Sequence, residues 1–163
     1  MHTSFSSSFL EILKGEHPLE KCFNENLNVY KKDIYKLDKT VENAIKIAPI
    51  ILQEIKKEQK LIKYGCDYYI ALDVPTNTFY ICFKNILMID IDNVEGNFDV
   101  INHFEKLDDS FAIYKSNNGY HVFCVSKYFN YYEKETLQFL LDNHCDYYYA
   151  IYCYLRGFCV RLN

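Results

Sequence analysis

Tryptophan is absent from this 163-residue sequence, although the chain contains 16 tyrosines and 12 phenylalanines. Many of the tyrosines stand in strand-like runs such as 147–149, where half-buried aromatic side chains pack well. Packing within strands is the commoner role of such residues, and stacking on nucleic-acid bases is the alternative. The aromatic content is compatible with both.

Paired cysteines, a secretory signal and a membrane-length apolar run are also missing. The seven cysteines contain no Cys-x-x-Cys pair, which excludes a zinc ribbon and predicts reduced intracellular thiols rather than a disulfide framework. No uninterrupted apolar run approaches the length of a bilayer span. We therefore expect a protein of the cytoplasm or nucleus that has no membrane partner.

The charge is low overall but unevenly distributed. A net charge of −4 argues against a protein that coats nucleic acid through bulk electrostatics. Residues 31–63 hold nine lysines against five acids, whereas residues 64–163 hold seven basic and thirteen acidic side chains. A basic flank beside an acidic region suits a protein that holds a phosphate polymer close to bound cations. It equally suits a solvated helix, which is the commoner case.

The chain is long enough for one domain with a proper core, since half of its residues are hydrophobic. We expect a mainly helical region over residues 1–64 and a mixed region over 65–163, within one compact domain.

Hydrophobic periodicity predicts a long helix over residues 39–64 and a short one over 9–14. Asp38 or Thr40 is the expected N-cap of the long helix, Pro49 is expected to kink or split it, and Gly65 to end it.

The second half of the chain reads as strands and short helices. Runs 67–74 and 78–83 form a predicted β-hairpin. The following order is strand, helix, strand, strand, helix, strand, which is a split βαβ arrangement. The predicted segments of this order are strands at 87–92, 111–115, 120–126 and 147–154 and helices at 98–107 and 131–143, and a further strand at 158–162 finishes the chain. The sequence thus predicts an α+β fold of the ferredoxin-like or RRM-like plait type, with its first and third strands side by side.

One predicted strand carries two acids on a single face. In Leu87–Asp92, alternation places Asp90 and Asp92 on one side and Ile89 and Ile91 on the other. The acidic face requires water, a cation or a ligand. The stretch is therefore either a divalent-metal site or an ordinary strand end that runs into a turn.

A second informative stretch is the predicted hairpin at Ser116–His121. Its hydroxyl and glycine, together with the preceding Lys115, are suited to accept a phosphate. Asn117, Asn118 and Gly119 suit positive φ angles. The plait would place His121 beside the two acids.

Together the two stretches resemble the motifs of the archaeo-eukaryotic primase superfamily. That family carries an hhhDhD strand followed by an S-x-x-G-x-H hairpin, and here these read Leu87-Met88-Ile89-Asp90-Ile91-Asp92 and Ser116-Asn117-Asn118-Gly119-Tyr120-His121. The resemblance covers residues 65–163 and is closest to small primase-like proteins of large DNA viruses. It implies a metal-dependent nucleotidyltransferase that joins nucleoside triphosphates on a DNA or RNA template, with two Mg²⁺ or Mn²⁺ ions.

The resemblance also implies roles for individual residues. Asp90, Asp92 and a third acid would hold the metal ions; Asp146 is the candidate for the third acid, with Asp142 in reserve. The nucleotide-binding residues would be Lys115, Ser116, Gly119, His121, Arg156 and Arg161. Asp146 equally suits ordinary loop chemistry, and the two arginines equally suit surface salt bridges. A helicase or another replication protein is a further expected partner. The sequence departs from the family in one respect, because it lacks the helical extension with which primases often bind template.

Two other functions remain open at this point. One is a non-catalytic RRM-like module whose sheet-face aromatics stack bases, and the other is an inactive primase-like subunit. A replication-initiator nuclease is excluded, because it requires paired histidines and no His-x-His occurs.

Overall fold

A computed structural model describes residues 31–92 and 98–162, and the predicted helix at 9–14 lies outside them. The protein is α+β, with antiparallel sheets. After a short 3₁₀ helix (Lys31–Lys36), the described elements are α1 (Val41–Glu58), β1 (Gln59–Tyr64), β2 (Tyr68–Asp73), β3 (Thr78–Phe83), β4 (Met88–Asp92), α2 (Val100–Glu105), β5 (Phe111–Lys115), β6 (Gly119–Cys124), α3 (Lys134–Asp142), α4 (Tyr147–Arg156) and β7 (Phe158–Arg161).

Helix α1 begins at one of its two predicted caps, because the Thr40 hydroxyl accepts a hydrogen bond of 3.1 Å from the Asn43 amide. The helix runs through Pro49 without interruption. Proline inside a helix costs about 3 kcal/mol, and burial of Ile47 and Leu52 on either side offsets that cost. The prediction that the helix continues to Gly65 is wrong, because residues 59–64 instead pair with β2 as strand β1.

The strands form two sheets. The first has the order β1-β2-β3-β7 and contains the predicted hairpin, β2–β3. The second has the order β4-β6-β5, so the predicted neighbours β4 and β6 do pair. The predicted four-stranded plait is not formed, because the last strand, β7, pairs with β3 in the first sheet. Consequently β4 lies at an edge of the second sheet and not at its centre.

The predicted strand at 147–154 is wrong, because these residues form helix α4. Asp146 caps the helix, and the buried residues Ala150, Ile151 and Leu155 recur at helical spacing. The helix ends at Gly157, whose φ of 101° is in the region that favours glycine. Capping and burial therefore outweigh the strand preference of a tyrosine-rich run.

Both sheets share one hydrophobic core with the helices. On the inner face of the second sheet, Ile89 and Val122 are fully buried, and they belong to the same cluster as Phe104 of α2, Leu137 of α3 and Ile151 of α4. Over residues 31–92 and 98–162, no helix has the length and apolarity required to cross a membrane.

A disulfide joins Cys82 of β3 to Cys159 of β7, which are opposite each other in the strand register. The expectation that all the cysteines are reduced thiols is wrong for this pair. The sequence predicts a strand at 158–162, but its pairing with β3 was not predictable from local pattern, so the pairing of the two sulfur atoms was not either. The bond fixes the edge strand of the first sheet to its neighbour.

The hairpin between β5 and β6 needs its glycine for space. Positive φ was expected at Asn117, Asn118 and Gly119, but none of the three adopts it. Instead, a Cβ on Gly119 would lie 1.7 Å from the carbonyl oxygen of Ile91. Only glycine allows β6 to approach the end of β4 this closely.

We expect Gly119→Ala to lower the free energy of unfolding by about 2–3 kcal/mol, because the added methyl group meets a backbone carbonyl in a paired strand. Urea denaturation measures the loss. Gly65→Ala is the matched control, since its Cβ would meet the ring of Tyr68, a side chain that can move. Equal stability of Gly119→Ala and the wild type would contradict the close approach.

Candidate active site

Asp90 and Asp92 of the edge strand β4 line a cavity of about 450 Å³ between the two sheets. Strands β4 and β6 of the second sheet form one wall, and β3, β7 and the end of α4 form the other. The lining residues are Tyr80, Met88, Asp90, Asp92, Ser116, Asn117, Asn118, His121, Tyr149, Arg156, Cys159, Val160 and Arg161. The structure thus gathers most of the residues that the two sequence motifs nominate.

His121 lies directly across from Asp90, so it stands beside the acids as expected. The two residues are register partners in the β4–β6 ladder. The imidazole Nε2 is 3.5 Å from Asp90 Oδ1, which exceeds the usual 2.7–3.2 Å of a hydrogen bond to nitrogen. The histidine therefore stands beside the carboxylate without satisfying it.

The Asp90 carboxylate is the most unusual group of the cavity. Its Oδ1 is buried and has no hydrogen-bond partner among the described residues. Burial, followed by the neighbouring charges of Asp92 and Asp146, raises the pKa of Asp90 from 3.8 to about 7. A buried carboxylate is costly unless it is paired or bound to a metal. The site therefore favours whatever brings positive charge to Asp90.

These residues fit a divalent cation whose coordination is completed from outside the chain. Within residues 31–92 and 98–162, no group of three or more His, Cys, Asp or Glu side chains forms a ready metal cage. Mg²⁺ commonly binds one or two carboxylates and keeps water and substrate phosphates as its other ligands. Asp90 and Asp92 both line the cavity, and Oδ1 of Asp90 has no hydrogen-bond partner among the described residues. The two residues therefore supply such a pair.

Asp146 lies close to this pair but has a structural task. Its amide donates a hydrogen bond of 2.6 Å to the Asp90 carbonyl oxygen, and its Oδ2 accepts one of 3.0 Å from the Tyr149 amide at the start of α4. The side chain does not line the cavity. Asp142, the reserve candidate, is exposed, accepts a hydrogen bond from Gln138 and is also outside the lining.

Two arginines contribute the positive charge of the cavity. Arg156 is only 7% exposed, its Nε has no hydrogen-bond partner, and its guanidinium carbon lies 4.6 Å from the centre of the Tyr152 ring. Arg161 is an exposed residue of β7. Neither forms an ion pair with a carboxylate among the described residues. A buried, unpaired guanidinium favours an anionic ligand.

The hairpin turn reaches the cavity through three side chains, those of Ser116, Asn117 and Asn118. Lys115, in contrast, does not line it. Lys115 is the register partner of Tyr120, which precedes His121 on β6. Because neighbouring residues of a strand point to opposite faces, Lys115 faces the side of the sheet away from His121. Its Nζ lies 5.8 Å from the centre of the Tyr120 ring. The structure therefore does not bring Lys115 to the site.

Apart from Arg156 and Arg161, sequence reasoning missed the residues of the first sheet and α4 that close the cavity. Tyr80 of β3 and Tyr149 of α4 line it, and the Tyr149 hydroxyl donates a hydrogen bond of 2.9 Å to the Cys159 carbonyl. The pairing of β7 with β3 places Val160 there as well. No local pattern signals these positions, because they depend on a pairing between distant strands.

The raised pKa of Asp90 predicts how its removal affects stability. The pKa of this carboxyl is about 4 in the unfolded chain and about 7 in the folded protein. As the pH rises through this range, ionisation of Asp90 lowers the stability of the folded protein. Asp90→Asn should therefore raise the melting temperature by about 2–6 °C at pH 8 without divalent ions, and by much less at pH 5. Thermal unfolding with a chelator present measures both, and an equal effect at the two pH values would contradict the assignment.

No protein-family model matches the chain, no curated protein is significantly similar to it, and no solved structure matches it.

Proposed function

We propose that the protein is a metal-dependent nucleotidyltransferase of the DNA primase/polymerase type, which joins nucleoside triphosphates on a nucleic-acid template. The observation that carries the proposal is one cavity lined both by Asp90, whose Oδ1 has no hydrogen-bond partner among the described residues, and by the buried Arg156, whose Nε has none either. Such a site provides places for a cation and for a phosphate anion within one space. The order of the two motifs along the chain supports the same reaction class.

The cation side would be formed by Asp90 and Asp92. Two bound Mg²⁺ or Mn²⁺ ions would stabilise the attacking and leaving oxygens of an in-line displacement at the α-phosphate. The carboxylates of this chain fix the position of such ions and neutralise their charge. At neutral pH, Asp90 must lose its proton to act as a ligand, since its pKa is about 7.

The anion side would be formed by the arginines, His121 and the hairpin turn. Arg156 is already desolvated, so its attraction for a triphosphate is weakly screened. Ser116 and His121 line the same cavity and can donate hydrogen bonds to phosphate oxygens. A volume of about 450 Å³ is in the range of small-molecule sites, about 300–1,000 Å³.

A specific observation also favours the inactive primase-like subunit as a second candidate. Asp146, a further acid whose charge acts on Asp90, uses one oxygen to cap α4. If a third carboxylate ligand is required, the capping bond competes with that role.

Substitution of the paired acids tests the enzymatic proposal. Asp90→Asn and Asp92→Asn should each lower Mn²⁺-dependent primer synthesis or extension at least about 100-fold, because the ions lose a carboxylate ligand in a reaction that depends on them. Incorporation of labelled nucleotides measures activity. Asp142→Asn is the matched control, an acid outside the cavity, and should retain wild-type activity. Undiminished synthesis by the Asp90 and Asp92 variants would exclude the proposed chemistry.

Two substitutions can separate a role of Asp146 in the metal site from its role as the N-cap of α4. Asn is as good an N-cap as Asp, whereas Ala costs about 1 kcal/mol at this position. If Asp146 contributes charge to the metal site, Asp146→Asn should keep the melting temperature and lower activity at least 10-fold. If the residue only caps the helix, Asp146→Asn should be fully active and Asp146→Ala less stable. Paired melting and activity measurements on both variants decide between the two roles.

A further inference from the structure

The outer face of the second sheet carries aromatic side chains as well as acids. Across its three strands, Asp90 of β4 is opposite His121 of β6, which is opposite Tyr114 of β5. Alternation places Phe123, two residues after His121, on this face too. The opposite face, with Ile89 and Val122, is buried against the core.

Tyr114 and Phe123 form a pair on this face. Their ring centroids are 5.9 Å apart in an edge-to-face arrangement. Tyr114 is 60% exposed, although a tyrosine in a strand more often packs into its surroundings. Phe123 is half-buried and supports the exposed Tyr114 ring, which therefore presents an aromatic surface in line with the acidic site.

The spacing across the sheet suits a polynucleotide. Neighbouring strands are about 4.8 Å apart, so Tyr114 lies about 10 Å from Asp90 across two strand intervals. Stacked nucleotides advance about 3.4 Å each along a strand. A nucleic-acid strand whose reacting end is at Asp90 would thus pass over the aromatic pair within its last two or three nucleotides.

The negative charges of this face make such a contact dependent on bound cations. Asp90 and Asp92 would repel the phosphates of a nucleic acid unless a cation is bound between them. The aromatic surface is uncharged and attracts the bases rather than the backbone. Binding of a strand here is therefore coupled to the divalent ions.

The geometry points to the Tyr114–Phe123 pair as a stacking platform for the bases of single-stranded nucleic acid at the edge of the acidic site. This inference rests on the proposed function, and it adds a strand-binding surface to it. The platform binds bases without sequence selectivity, because every base offers a π face. Nucleoside triphosphates, which the cavity holds through Arg156 and His121, do not depend on it.

Fluorescence anisotropy of a labelled single-stranded oligothymidylate with Mn²⁺ tests the platform. Tyr114→Ala should weaken binding about 10-fold, the effect of losing one base–aromatic stack, whereas Tyr114→Phe should bind as the wild type does. Tyr64→Ala is the matched control, because Tyr64 is 57% exposed on β1 of the first sheet. Chelation of Mn²⁺ should weaken binding by the wild type. Equal affinity of Tyr114→Ala and the wild type would overturn the inference.

A parallel titration with a nucleoside triphosphate and Mn²⁺ separates this inference from the proposed function. Tyr114→Ala should bind the triphosphate as tightly as the wild type does. If the wild type binds the triphosphate but Tyr114→Ala leaves oligonucleotide binding unchanged, only the platform is refuted. If the wild type binds neither ligand, the proposed function and the platform both fail. Loss of triphosphate binding in Tyr114→Ala would also overturn the inference, since the aromatic pair would then belong to the nucleotide site.

Discussion

The candidate site is organised around one unsatisfied atom: Oδ1 of Asp90, a residue that lines the cavity, is buried without a hydrogen-bond partner among the described residues. No hydrogen bond from a described residue satisfies this oxygen. His121 stands 3.5 Å away, and the nearest other charges, on Asp92 and Asp146, are negative. Burial and the negative charges of Asp92 and Asp146 raise the free energy of the ionised form and thereby increase the gain from a bound cation.

The positions of β7 and α4 make this arrangement into a cavity. Because β7 joins the first sheet, the edge of β4 is left without a strand partner on that side. Helix α4 begins at Asp146, whose amide holds the Asp90 carbonyl, and ends at Arg156, which lines the opposite wall. One short helix thus connects the acidic and basic sides of the site. The disulfide between Cys82 and Cys159 fixes β7, which supplies the rest of the basic wall.

The parts of the site that local pattern predicts are those built within a hairpin or a strand. The alternation of Leu87–Asp92 predicts both acids on one face, and the expected pairing of β4 with β6 brings His121 opposite Asp90, as the register shows. What local pattern could not predict depends on long-range pairing. The tyrosine run at 147–149 has strand preference, but the Asp146 cap and burial of one face make it a helix. The sequence nominates both Lys115 and Ser116 for nucleotide binding, but only Ser116 lines the cavity, because Lys115 faces the other side of the sheet. Likewise, only the packing of α4 buries Arg156, and only the approach of β4 explains Gly119.

Calorimetric titration of Mn²⁺ into the protein at pH 7, repeated in buffers of different ionisation enthalpy, tests the central claim most directly. The account predicts binding that is tightened by a nucleoside triphosphate and accompanied by release of about half a proton, since the pKa of Asp90 is about 7 and a metal ligand must be deprotonated. Asp90→Asn should lose both the heat of binding and the proton release. Absence of Mn²⁺ binding by the wild type, or binding that is unchanged in Asp90→Asn, would contradict the account.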